Sequence, residues 1–188
     1  MTVLRFFATA PKGVPPILAE ELRQLGAEAL KEGPAGVAFE GPLALGYRAC
    51  LWSRTASRVL LHLAEFPAAT PEALYAGVQA IDWSEHLAAA GTLLVDFSAQ
   101  RSQITHSHYG ALKVKDAIVD QFRDRCGERP SIAKEQPDLR VHVHVDRDQA
   151  SLSLDLAGDS LHRRGYRESA VVAPLKQNLA AALLLRTG

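Results

Sequence analysis

Only two cysteines, Cys50 and Cys126, occur in 188 residues, far apart and outside any CxxC spacing. That excludes a disulfide framework and a paired-cysteine zinc site. Net charge is also missing, because 21 Lys+Arg balance 21 Asp+Glu, so bulk charge does not announce a nucleic-acid binder. Long apolar runs are absent too. The longest, Leu179 to Leu185, falls far short of the roughly 18–20 residues that span a bilayer, and the N-terminus, with Arg5 and Lys12, lacks a signal-peptide core. These absences lead to the expectation of a cytoplasmic protein with no membrane partner. No GxSxG, Walker A, GxGxxG or HExxH motif occurs, nor does a methyl-donor loop of the Asp-x-x-x-Gly-x-Gly kind. What is present is a chain that is 47% hydrophobic and 22% charged, enough for an apolar core in one large or two small domains.

The periodicities suggest two α+β layers. Val3 to Thr9 reads as a strand, Pro11-Lys12-Gly13 as a break, and Val14 to Leu25 as a helix with Ile17, Leu18, Leu22 and Leu25 on one face. Ala35 to Glu40 reads as a strand, Leu43 to Trp52 as a helix and Arg58 to Phe66 as a strand. Thr70-Pro71-Glu72 is a helix start, with a Thr cap and Pro at the first helical position, and a second domain is expected to begin near it. Thr92 to Ser98 then reads as a strand, Tyr109 to Arg125 as a helix, and the stretches flanking Asp146-Arg147-Asp148-Gln149 as a hairpin. A last helix is expected over Ala173 to Arg186.

Two candidate sites emerge. His142 and His144 alternate along one strand face, a spacing that can chelate a metal. No third ligand is evident, and the two histidines read as the outward face opposite Val141, Val143 and Val145, so no metal is expected. Charge is less evenly spread than the total implies: residues 1–100 hold 7 basic and 10 acidic side chains, residues 101–188 hold 14 and 11. Residues 101–115 contain Arg101, Lys113 and Lys115 without an acid, and residues 161–167 contain Arg163, Arg164 and Arg167 without one. With Tyr109 and Tyr166 beside them, these clusters could grip phosphates and stack a base; the alternative is a solvated surface. His106 and His108 lie where a loop feeds a helix N-terminus, a place that favours phosphate. Lys115 falls inside the apolar arc of that helix, so it must snorkel, find a partner or serve a site.

Several spaced blocks carry a resemblance. Phe7-Ala8-Thr9-Ala10, Ala19-Glu20-Glu21-Leu22, Leu51-Trp52-Ser53-Arg54 with Ala56-Ser57-Arg58, and Tyr109 through Asp120 come first. Pro137 through Val141, Leu154 through Asp159, Arg164-Gly165-Tyr166-Arg167 and Ala173-Pro174-Leu175-Lys176 follow in order. Together they resemble the N-terminal region of the bacterial 23S rRNA guanine-N2 methyltransferase family, RlmL and its fused form RlmKL. The resemblance implies an α+β fold: a ferredoxin-like domain over residues 1–66, a THUMP RNA-binding domain over 67–166, and a linker with a first helix over 167–188. It further implies 23S rRNA as partner. Contacts with it are expected from the helix start and the two basic clusters read above: Arg101, His106, His108, Tyr109, Lys113, Lys115, Arg163, Arg164 and Arg167. Thr105 stands where a basic residue is expected in such relatives, leaving His106, His108 and backbone amides to meet phosphate.

By the same resemblance, a methyltransferase domain using S-adenosylmethionine would follow in the same polypeptide. The chain would stop before it, holding neither a catalytic residue nor the cofactor. The family's Asn/Asp-Pro-Pro-Tyr motif also leads relatives to be labelled adenine-specific DNA methylases, a fold-level analogy. Two alternatives stay open: the same head on a tRNA thiolation or pseudouridylation enzyme, or a non-catalytic interaction module.

Overall fold

A computed structural model of the chain describes residues 2–165 and 174–187. The residues divide into two units, Met1–His62 with Leu156–Gly188, and Leu63–Asp155.

In the first unit the order of elements is β1 (Leu4–Thr9), α1 (Pro15–Gln24), β2 (Glu28–Gly33), β3 (Gly36–Gly41), α2 (Leu43–Trp52) and the start of β4 (Arg58–Pro67). The strands lie in the order β2-β3-β1-β4, with β1 antiparallel to both neighbours. This is a split βαβ arrangement, in which each helix crosses over one face of the sheet. Phe6 of β1 stacks on Phe39 of β3 with ring centroids 5.1 Å apart, and Leu18 and Leu22 of α1 close the core over them. No strand is expected from the sequence pattern where β2 lies. The reason is physical: β2 is a charged edge, with Glu28, Lys31 and Glu32 on largely exposed backbone, so it lacks the apolar alternation that marks a strand.

The second unit runs from the end of β4 through α3 (Pro71–Gln79), β5 (Thr92–Gln100), α4 (Ser107–Cys126), β6 (Ser131–Ile132), β7 (Leu139–Asp146) and β8 (Gln149–Asp155). The Thr70 cap forms as the sequence suggests, its hydroxyl accepting from the Ala73 N–H at 3.2 Å. Strands β5 and β7 are parallel, with α4 and β6 in the crossover between them, while β7 and β8 form the expected hairpin. Arg147 and Asp148 at its turn both take positive φ, 49° and 58°, as a two-residue hairpin turn requires. Val141, Val143 and Val145 are fully buried beside Leu152 and Leu154 of β8. His142 and His144 lie on the other face, where Ser98 Oγ is 2.8 Å from His144 Nδ1. No cluster of potential metal ligands occurs among the described residues.

Helix α4 is held by two devices. Its C-terminal half is pinned by Gln121, whose side chain accepts from the Trp83 N–H at 2.9 Å and donates to the Gln79 and Ile81 carbonyls. Its N-terminal half lies close against β5 because residue 110 is glycine: a Cβ there would sit 2.5 Å from the Phe97 ring. Gly110→Ala is therefore expected to destabilise the protein by about 1–2 kcal/mol in chemical denaturation, despite alanine's better helix propensity.

The last described helix, α5 (Gln177–Thr187), belongs to the first unit and starts later than Ala173; residues 166–173 lie outside the described residues. Its Asn178 is buried and donates to Ser57 Oγ at 2.9 Å.

Candidate nucleic-acid interface

The carboxyl ends of β5 and β7 point to one edge, because the two strands are parallel and in register from Leu93↔Leu139 to Gln100↔Asp146. From that edge the chain leaves β5 through residues 101–106 and enters α4. Open α/β arrangements place ligand sites at such an edge, where helix N-termini gather.

Helix α4 begins without a cap. His106 occupies the capping position in extended conformation (φ −96°, ψ 101°), and its side chain makes no capping hydrogen bond. The first intrahelical bond is from the Gly110 N–H to the His106 carbonyl, at 3.0 Å. The N–H groups of Ser107, His108 and Tyr109 thus precede the ladder, and no acidic residue lies in the first turn. Twenty residues of aligned peptide dipoles add partial positive charge at this end. His106 and His108 are exposed around it. Tyr109 is 45% exposed, and the Lys113 ammonium lies 5.8 Å from its ring centroid, one helical turn on. Four of the sequence-predicted residues, His106, His108, Tyr109 and Lys113, therefore meet at one helix start.

The loop that presents them is tied to the hairpin turn. Asp148 accepts from the Gln103 N–H at 2.9 Å, and Ile104 is buried beneath. The Gln103 backbone N–H and the Ser102 hydroxyl hold the Asp148 carboxyl below the usual carboxylate range. The sign follows: a depressed folded-state value means the tie is intact above the ordinary carboxylate pKa and lost as pH falls through the lowered one. The protection of the Gln103 amide, measured against the intrinsic exchange rate at each pH, should therefore be high at neutral pH and fall in acid, with Asp148→Ala showing the low protection throughout.

Two expected cations are already paired. Arg101 makes a bidentate bond to Asp146, with Nε and Nη2 each 2.8 Å from a carboxylate oxygen. Lys115 pairs with its neighbour Asp116 and is half-buried. The acid-free window 101–115 is thus not acid-free in space: Asp146 comes from β7 through the parallel register, and Asp116 lies just past the window. Sequence reasoning missed Arg147, whose exposed side chain stands on the same edge while its N–H donates to the Gln100 carbonyl. Its place in the predicted hairpin turn was the available signal.

The second expected cluster belongs to the first unit. Arg163 is exposed. Arg164 instead closes the C-terminus of α2, donating to the carbonyls of Cys50 at 3.0 Å, Leu51 at 3.3 Å and Ser53 at 2.8 Å. A guanidinium there satisfies carbonyls that have no helical partner and opposes the dipole. Arg164→Ala should cost about 1–3 kcal/mol of stability in chemical denaturation and leave the salt dependence of nucleic-acid binding unchanged. Arg167 lies outside the described residues.

Both units match family models. Residues 5–60 match the RlmL ferredoxin-like domain, and residues 68–155 match the THUMP domain. The class is therefore a ferredoxin-like domain followed by a THUMP domain, the order the resemblance implied. A ribosomal RNA large subunit methyltransferase K/L from Syntrophotalea carbinolica is 62% identical over 185 residues, covering 98% of this chain and 26% of the relative. A protein of Listeria monocytogenes described as a predicted N6-adenine-specific DNA methylase superposes with a TM-score of 0.86 at 30% identity, over 98% of this chain and 48% of that one. A protein crystallised in complex with SAH gives 0.85 at 29% identity, over 99% and 49%. The chain belongs to the ribosomal RNA large subunit methyltransferase K/L family, as its N-terminal ferredoxin-like and THUMP region. It spans about a quarter of the length of the curated relatives it matches.

Proposed function

We propose that this chain is the RNA-holding region of an S-adenosylmethionine-dependent enzyme that methylates guanine N2 in 23S rRNA in the cytoplasm. The observation that carries the proposal is the uncapped start of α4, where free N–H groups, two exposed histidines and the Tyr109–Lys113 pair face outward with no acid in the first turn. Phosphate meets hydrogen-bond donors and positive potential there, and Tyr109 offers a face for a base. Arg147, on the same edge, adds a second phosphate contact. Recognition of this kind reads backbone and shape, because A-form RNA hides its base edges in a deep groove.

Two of the strand-to-helix turns differ from a methyl-donor loop. The turn from β1 into α1 has Gly13 at φ 82°, but Pro15 and Pro16 open the helix and remove two N–H donors. The loop from β5 into α4 contains no glycine. S-adenosylmethionine, the source of the methyl group, would be held by the polypeptide that follows, and this chain's part is to place the RNA. The 62% identity to a ribosomal RNA methyltransferase favours this reading over a tRNA thiolation or pseudouridylation head.

Filter binding of the chain to 23S rRNA fragments over a salt series tests the proposal. Affinity is expected to fall with a log–log slope of about −2 to −4, corresponding to a few neutralised phosphates. Flat salt dependence or no binding would favour a non-catalytic protein-interaction module.

A further inference from the structure

The first unit carries two helices that are apolar on the side facing away from its core. Helix α2 buries Leu45, Gly46 and Ala49, while Leu43, Tyr47 and Leu51, spaced four apart, form a second stripe exposed by 39%, 54% and 66%. Trp52 continues the stripe at 65%. Helix α5 exposes Leu183, Leu184 and Leu185. A helix that is hydrophobic all round belongs in an interior, and a contiguous exposed patch of this kind marks an interaction site.

The two surfaces meet at a groove of about 800 Å³, whose apolar walls include Leu51, Trp52, Leu161, Ala181 and Leu184. Its two guanidiniums are engaged. Arg164 is on the α2 carbonyls, and Arg54 Nε lies 2.9 Å from the buried Glu21 carboxylate. Each guanidinium already faces protein acceptors and the rest of the lining is largely apolar, so the chemistry that fits is an apolar polypeptide surface with a few polar groups at the rim.

We infer that this groove seats the polypeptide that follows α5 in the full-length protein, with Trp52 and Leu184 as the central anchors. The inference rests on the proposed function only in taking a further domain to follow. The curated relatives are about four times as long as the stretch this chain covers, and α5 forms one wall of the groove. Whatever continues from Thr187 is tethered beside the groove, and tethering at short range gives it an effective concentration no free partner matches. Aromatic and leucine anchors around a desolvated centre are the usual energetic core of such a contact.

Hydroxyl-radical footprinting read by mass spectrometry tests this by comparing the 188-residue chain with the full-length protein. Oxidation of Trp52 and Leu184 is expected to fall about fivefold in the full-length protein, independent of concentration, as their exposed area is covered. Trp52→Glu in the full-length protein should restore oxidation at Leu184 and speed proteolytic cleavage after α5. Equal oxidation in both proteins would overturn the inference. So would protection of the short chain that grows with its own concentration, which assigns the groove to a second copy, or protection that requires added RNA. The salt-dependent RNA binding of the short chain is read independently, so failure of the groove and failure of the RNA reading remain distinguishable.

Discussion

Replacing His106 with aspartate is expected to stabilise the protein by about 1 kcal/mol and to weaken its binding to 23S rRNA fragments by about tenfold or more. The two effects have one cause. His106 stands at the capping position of α4 with extended backbone but makes no capping bond, and aspartate is among the best residues for that position. Its carboxylate would accept from the His108 or Tyr109 N–H and complement the dipole. The same carboxylate would occupy the donors that the account assigns to phosphate and set a negative charge against it. A structural role for His106 alone would change stability without lowering affinity, and loss of a cation far from the contact would lower affinity without raising stability. Thermal or chemical denaturation beside filter binding at fixed salt reads both signs.

The second large effect concerns Glu21, which lies buried in α1 and holds the segment after α2. Its carboxylate accepts from Ser53 Oγ at 3.1 Å, the Thr55 N–H at 3.1 Å, Thr55 Oγ1 at 2.5 Å and Arg54 Nε at 2.9 Å. One carboxylate thus satisfies the Ser53-Arg54-Thr55 turn that leads into β4. Glu21→Ala would leave the buried Ser53 and Thr55 donors without an acceptor and is expected to cost about 3–5 kcal/mol, a large share of a domain's stability. Glu21→Gln keeps one acceptor oxygen and should cost less. Chemical denaturation of both variants checks the order, and an alanine variant as stable as the parent would remove Glu21 from this role.

The Glu21 tie could have been noticed in the sequence, since position 21 falls within the arc of Leu18, Leu22 and Leu25 while Glu20 faces solvent. Helical spacing identifies a charged residue on a buried face but not the turn it serves, 32 to 34 residues away. The elements that were legible are those whose pattern is local: the Thr70-Pro71-Glu72 helix start, the long helix with its apolar arc, and the hairpin around Arg147-Asp148. Strand β2 was not, because an edge strand keeps its charges and loses the alternation.

The candidate site divides along the same line. His106, His108, Tyr109 and Lys113 follow one another at the start of a single helix, so spacing alone brings them together. Arg101, Lys115 and Arg164 drew attention through acid-free windows, and the fold supplies partners that a window cannot count: Asp146 across a parallel strand pair, Asp116 one residue on, and three carbonyls at the end of α2. A guanidinium satisfying carbonyls looks identical in sequence to one awaiting phosphate.

Ultraviolet cross-linking of the chain to 23S rRNA fragments, with the linked residues mapped by mass spectrometry, tests most directly whether the start of α4 is where RNA is held. Cross-links are expected to concentrate at His106, His108 and Tyr109 and to be suppressed by added salt. Cross-links confined to the exposed faces of α2 and α5, with none at the α4 start, would contradict it.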